Sequence, residues 1–143
     1  MAIKNAYTKQ PLEDMIREIQ KTLISHNAKK IMFDYDGGKL SGLTFCLELN
    51  GRMCFFKLPA KIQECEIILR EQGLFNPSKV DHTLRVAWAN IRDWIASQMA
   101  MIDLNQVKIE EVFLPYLVLG EKTLFELMEV NSFALPSGKI KYD

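Results

Sequence analysis

The dipeptide Asn50-Gly51 narrows the possible folds of this chain more than any other feature. Two successive residues with positive φ make the type I′ turn, whose twist matches that of paired strands, and Asn-Gly adopts it at low cost. Alternation of apolar and polar residues on both sides makes this a β-hairpin and sets its register. Leu49 then faces Arg52, Leu47 faces Cys54, Phe45 faces Phe56 and Leu43 faces Leu58. One face of the hairpin is almost wholly apolar. The other holds Thr44, Cys46, Glu48, Met53, Phe55 and Lys57, a mixed surface. A further strand precedes, from Lys30, and turns back through Asp36-Gly37-Gly38. A three-residue loop with Gly38 as a left-handed bulge pairs Ile31 with Leu43 and sends Ile31, Phe33 and Tyr35 to the apolar face. A two-residue loop would send Met32 and Asp34 there, at several kcal/mol for an unpaired carboxylate.

The apolar face needs a second layer, and the flanking segments supply helices. Leu12, Met15, Ile16, Ile19, Leu23 and Ile24 recur at helical spacing over 11–26, with Pro11 suited to the first turn and Asn27 to a left-handed stop. Glu13 and Arg17 form an i, i+4 pair on its solvent side. A second helix is expected over 60–72, closed by Gly73. A third runs from Lys79 to about Leu104, capped by Ser78 with Asp81, on a stripe of Val80, Leu84, Trp88, Ile91, Ile95, Met99 and Ile102. Thr123 and Glu126 form a capping box for a last helix ending near Val130. The order α-β-β-β-α-α-α implies a two-layer α+β domain over 1–131, a three-stranded antiparallel meander with helices packed on one face. Residues 132–143 read as a loose tail.

Composition sets limits on function. With 143 residues, 48% of them hydrophobic, the chain has enough apolar surface for one core, which excludes a disordered segment. Eighteen basic residues balance eighteen acidic ones, so no overall field favours nucleic acid. Met1 to Pro11 holds no apolar core of a secretory signal, and no run approaches the roughly 18 apolar residues of a membrane span. A cytoplasmic protein without membrane partners is expected. Cys46, Cys54 and Cys65 lack metal spacing, and Cys46 and Cys54 fall on opposite faces of the hairpin. His26 and His82 have no Cys or His nearby. No metal and no cofactor is expected, and no catalytic constellation is present: Asp34 and Asp36 share a strand face without a third ligand or a catalytic His, and Gly37-Gly38-Lys39 joins two strands where a phosphate loop joins strand to helix.

Two surfaces stand out as partner-binding candidates. On the third helix Arg85 and Arg92 lie about two turns apart beside Ala89 and Ala96, while Trp94 points away from Trp88 and is the better exposed anchor. The competing reading pairs Arg85 with Asp81 and lays Arg92 along apolar surface. On the outer sheet face, Met53, Phe55 and Lys57 either bind a partner or are covered by the tail or by residues 109–118. A nucleic-acid alternative draws on Lys29, Lys30, Arg85 and Arg92.

The block Val86 to Ala96, the stretch Gln98 to Ile102, and Glu110-Glu111-Val112-Phe113-Leu114-Pro115-Tyr116 followed by Lys122-Thr123-Leu124 resemble a family of small phage- and prophage-encoded proteins, over roughly residues 12–130. That family brings no assigned biochemical function, and no catalytic or binding residue transfers from it. The resemblance implies a viral accessory protein acting in a bacterial cytoplasm. Such proteins either block a host defence machine such as a CRISPR–Cas effector or assist phage DNA replication or recombination. Balanced charge and the missing catalytic set favour a non-enzymatic blocker, which needs only a shaped surface; a nucleic-acid accessory protein is the alternative. A second copy of the chain is a further expected partner, through the long third helix.

Overall fold

The computed structural model describes residues 1–79 and 81–134. The expected order α-β-β-β-α-α-α is present, as α1 (Leu12–Ser25), β1 (Lys30–Asp36), β2 (Lys39–Leu49), β3 (Arg52–Pro59), α2 (Ile62–Glu71), α3 (His82–Asp103) and a last helix, α5 (Leu124–Val130). Between α3 and α5 the chain adds α4 (Ile109–Phe113), a 3-10 turn (Leu114–Tyr116) and a short hairpin of β4 (Val118–Leu119) and β5 (Lys122–Thr123). The large sheet is antiparallel in the order β1-β2-β3.

The β2–β3 hairpin has the register that its Asn-Gly turn requires, with Leu49 opposite Arg52 and Phe45 opposite Phe56, and Asn50 and Gly51 both at positive φ. The β1–β2 hairpin differs from expectation. Gly37 and Gly38 are both at positive φ and form a two-residue turn, with Asp36 opposite Lys39 and Tyr35 opposite Leu40. Ser41 then bulges out of β2, so that Asp34 faces Gly42, Phe33 faces Leu43 and Ile31 faces Phe45, not Leu43. The bulge, not the loop, supplies the extra residue that keeps Ile31 and Phe33 on the inner face. Its carbonyl is not idle: Ser41 O accepts from Ala60 N at 2.9 Å, tying the bulge to the start of α2. Tyr35, at the end of the pairing, is 65% exposed instead of buried.

Helices cover one face of the sheet. Met15, Ile19 and Leu23 of α1 and Trp88, Ile95 and Met99 of α3 close over Leu43, Phe45, Leu47, Phe56 and Leu58. Trp88 is fully buried and its indole N–H donates to Leu40 O at 3.2 Å, which satisfies its one polar atom. A smaller cluster of Ala6, Leu69 and Val86 anchors the N-terminal segment against α2 and α3.

Local chemistry moved several boundaries. Helix α3 starts at His82, three residues after the expected start, because Ser78 is engaged in an Asx turn: its amide and hydroxyl both donate to Asn76 Oδ1, at 3.0 and 2.7 Å. At 22 residues it is about 33 Å long. Val80 and the tail residues 135–143 lie outside the described residues. On α1, Arg17 pairs with Asp14, not Glu13. The Thr123–Glu126 capping box forms as expected, with Glu126 N donating to Thr123 Oγ1 at 3.2 Å and Thr123 N to Glu126 Oε1 at 3.0 Å.

Candidate binding groove

The described residues enclose an open groove of about 880 Å³ between α3, the end of β3, the 3-10 turn and α5. It is built from three anchors. The first is the aromatic stack above the sheet. Phe45 and Phe56 lie 5.6 Å apart and nearly parallel, and Phe113 of α4 meets Phe45 edge-on at 5.1 Å. Trp94 stands perpendicular to Phe113 at 5.7 Å and meets Tyr116 at 5.8 Å. The contacts of Phe113 with Phe45 and of Trp94 with Phe113 and Tyr116 are edge-to-face, a favoured arrangement for ring quadrupoles. Trp94 is thus half-buried, one side on the core and the other in the groove wall.

The second anchor is Pro115, which sits at the start of the 3-10 turn, where its fixed φ is tolerated, and forces the chain out of α4. Leu117 next bridges to Phe56, which carries the chain along the outer edge of β3. The third is the capping box, which starts α5 immediately after β5 and presents Phe125, Glu126 and Glu129 to the groove. Phe125 is 46% exposed although large and apolar. Lys57 and Lys61 line the opposite rim. The Glu126 carboxyl is held below its ordinary value, first by the Thr123 amide and then by the Thr123 hydroxyl, so this rim position stays anionic. An apolar, aromatic floor with two cations and two carboxylates at the rim gives the groove an apolar centre and a polar edge, as protein interfaces have.

Of the candidate residues, Trp94 and Lys57 meet in this groove. Met53 and Phe55 remain on the outer sheet face, where Met53 is 47% exposed and Lys30 Nζ stands 6.0 Å from the Phe55 ring centre. Residues 109–118 do not cover that face: Phe113 packs on the inner face and Leu117 runs along the β3 edge. The other expected cover, the tail, lies outside the described residues from 135 onward.

Arg92 does not point to a free surface. Its side chain is 18% exposed, donates to Asp93 Oδ1 at 3.0 Å, lies 3.5 Å from Glu18 Oε2 and also bonds Gln10 Oε1. Asp93 in turn accepts from Asn5 Nδ2 at 2.9 Å and pairs with Lys4 at 3.3 Å. Burial raises the Asp93 carboxyl, but the bonds from Asn5, Arg92 and Lys4 and the Arg92 charge outweigh it and hold the pKa below its ordinary value. This network fastens α1 and the N-terminal segment to α3. Arg85 makes no ion pair with Asp81 or any other described residue, and its Nε is buried without a hydrogen-bond partner. Lys29 and Lys30 enter β1 at the far end of the sheet, opposite Cys46, whose thiol is pushed up by burial.

Sequence reading found Trp94 from its angle on the helix and Lys57 from the strand alternation. It missed Tyr116, Phe125 and Glu129, because their meeting depends on how α5 folds back over the 3-10 turn. The one local signal was Phe125 directly inside the capping box, a large apolar residue in the first turn of a seven-residue helix. No helix among the described residues is long and apolar enough to cross a membrane, and no group of metal-ligating side chains forms among them. No family model, curated protein or solved structure matches the chain.

Proposed function

We propose that this chain is a non-enzymatic binding protein that takes a protein partner in the groove between α3 and α5. One observation carries the reading: Trp94, Tyr116 and Phe125 form a preformed aromatic groove whose rim mixes Lys57 and Lys61 with Glu126 and Glu129. A rim of both signs suits a protein surface and disfavours a phosphate backbone, which would be repelled by the glutamates. The resemblance to phage-encoded proteins supplies the kind of partner, a host antiviral complex such as a CRISPR–Cas effector, which the protein inhibits by occupying it.

The alternative, a nucleic-acid accessory role in phage replication or recombination, is weakened by Arg92, whose guanidinium is already shared among Glu18, Asp93 and Gln10. Titration of the protein into purified bacterial CRISPR–Cas effector complexes, with DNA alone as a parallel arm, tests both. The proposal expects stoichiometric binding to an effector that loses at least tenfold in Trp94→Ala. Tight binding to DNA alone, weakening steeply with salt, would reject it in favour of the alternative.

A further inference from the structure

The terminal strand β1 has β2 on one edge, and among the described residues no strand pairs with its other edge. Such an edge is a template for another strand, which sheets normally suppress with proline, a bulge or inward charge. Neither proline nor a bulge interrupts β1: the strand contains no proline, and the bulge lies on β2 at Ser41. Its one carboxylate with a buried oxygen, Asp34, lies over Gly42 of β2, away from the open edge. Its apolar residues are also incompletely covered: Met32 is 50% exposed on the outer face, and Ile31 and Phe33 are half-buried on the inner one.

We propose that this edge pairs with β1 of a second copy, antiparallel about a two-fold axis at Phe33, to form a continuous six-stranded sheet. The strand itself selects a second copy over a foreign strand, because Lys30-Ile31-Met32-Phe33-Asp34-Tyr35-Asp36 is self-complementary when reversed. Phe33 is the central residue, so Lys30 meets Asp36 of the second copy, Ile31 meets Tyr35 and Met32 meets Asp34. Directly opposed residues of an antiparallel pair share a face, so Lys30 and Asp36 meet on the outer side and Ile31 and Tyr35 on the inner. Each Lys30 also has Asp34 of the other copy on its diagonal. The two Asp34 carboxylates are diagonal to one another as well, and each has a Lys30 ammonium on its other diagonal. The symmetry doubles every contact, so two Lys30–Asp36 pairs and two Ile31–Tyr35 pairs flank the axis. The aromatic groove on the opposite edge of the sheet, beside β3, stays open in such a dimer.

Sedimentation equilibrium of the full chain, from low micromolar to near-millimolar concentration, tests this together with hydrogen exchange of the Lys30–Asp36 amides. The dimer predicts a concentration-dependent mass and slower exchange across β1 at high concentration. Lys30→Glu and Asp36→Lys each set like charges opposite one another twice per dimer, and each raises the dissociation constant by at least about tenfold. The double variant K30E/D36K restores opposite charges and returns dimerisation toward wild type. Thermal melting of each variant separates loss of pairing from loss of fold. A monomer at every concentration overturns the proposal, as does a dimer that both reversals leave unchanged or that the double variant fails to restore.

Discussion

Asp93 shows how one side chain can hold three segments together. Its carboxylate collects Asn5, Lys4 and Arg92, joining the N-terminal segment to α3, while Arg92 reaches α1 through Glu18 and the chain just before it through Gln10. Because its folded pKa lies below the ordinary value of about 3.9, Asp93 binds protons less readily in the native state than in the unfolded chain. Its contribution is therefore complete above the ordinary carboxylate range and is lost as pH falls through the depressed value. Asp93→Asn is expected to cost about 1–2 kcal/mol at neutral pH, the scale of charge-assisted hydrogen bonds discounted for partial exposure. Urea denaturation from pH 3 to 7 checks this: the wild type should lose more stability than the variant on acidification, so the two curves converge at low pH. Phe113 is the other single residue on which much depends. It is fully buried between Phe45, Phe56 and Trp94, and Phe113→Ala should cost about 3–5 kcal/mol in the same assay while loosening the groove wall.

At the scale of elements, the two hairpins of one sheet teach opposite lessons. The β2–β3 turn is set by two residues whose backbone preference leaves one solution, and Gly51 at φ 79° is the position that tolerates a side chain least. Gly51→Ala should destabilise the protein by about 1 kcal/mol or somewhat more, read as a lower denaturation midpoint with an unchanged slope. The β1–β2 turn is degenerate: Gly37-Gly38 fits two loop lengths, and the core accepts either provided that one extra residue is absorbed somewhere. Ser41 absorbs it because its carbonyl gains Ala60 N, a contact between segments that no local pattern displays. The same division holds for the helices and the groove. Periodicity made α1 and the body of α3 legible, and the capping box made α5 legible. The start of α3 was misplaced because Asn76 competed for Ser78. Trp94 could be assigned from helical angle alone, whereas Tyr116 and Phe125 became a site only through the path of residues 114–123 around the edge of β3.

At the scale of the whole molecule, the core and the proposed recognition surfaces occupy different parts of the sheet. Core residues of α1, α3 and the sheet close one face, and the two edges of that sheet differ: the β3 side, bridged by Leu117, carries the aromatic groove and the β1 side carries the self-complementary strand. Neutral net charge fits this division, since the groove rim carries two lysines and two glutamates, which on the proposed reading would orient a partner in place of a broad field. The proposed partner site is the groove between α3 and α5. Phe125→Ala tests it most directly, because Phe125 is nearly half exposed and contributes little to the core. Affinity for a purified CRISPR–Cas effector, measured for wild type and Phe125→Ala at matched thermal stability, should fall by at least tenfold in the variant. Equal affinity of the two proteins would place the partner outside this groove.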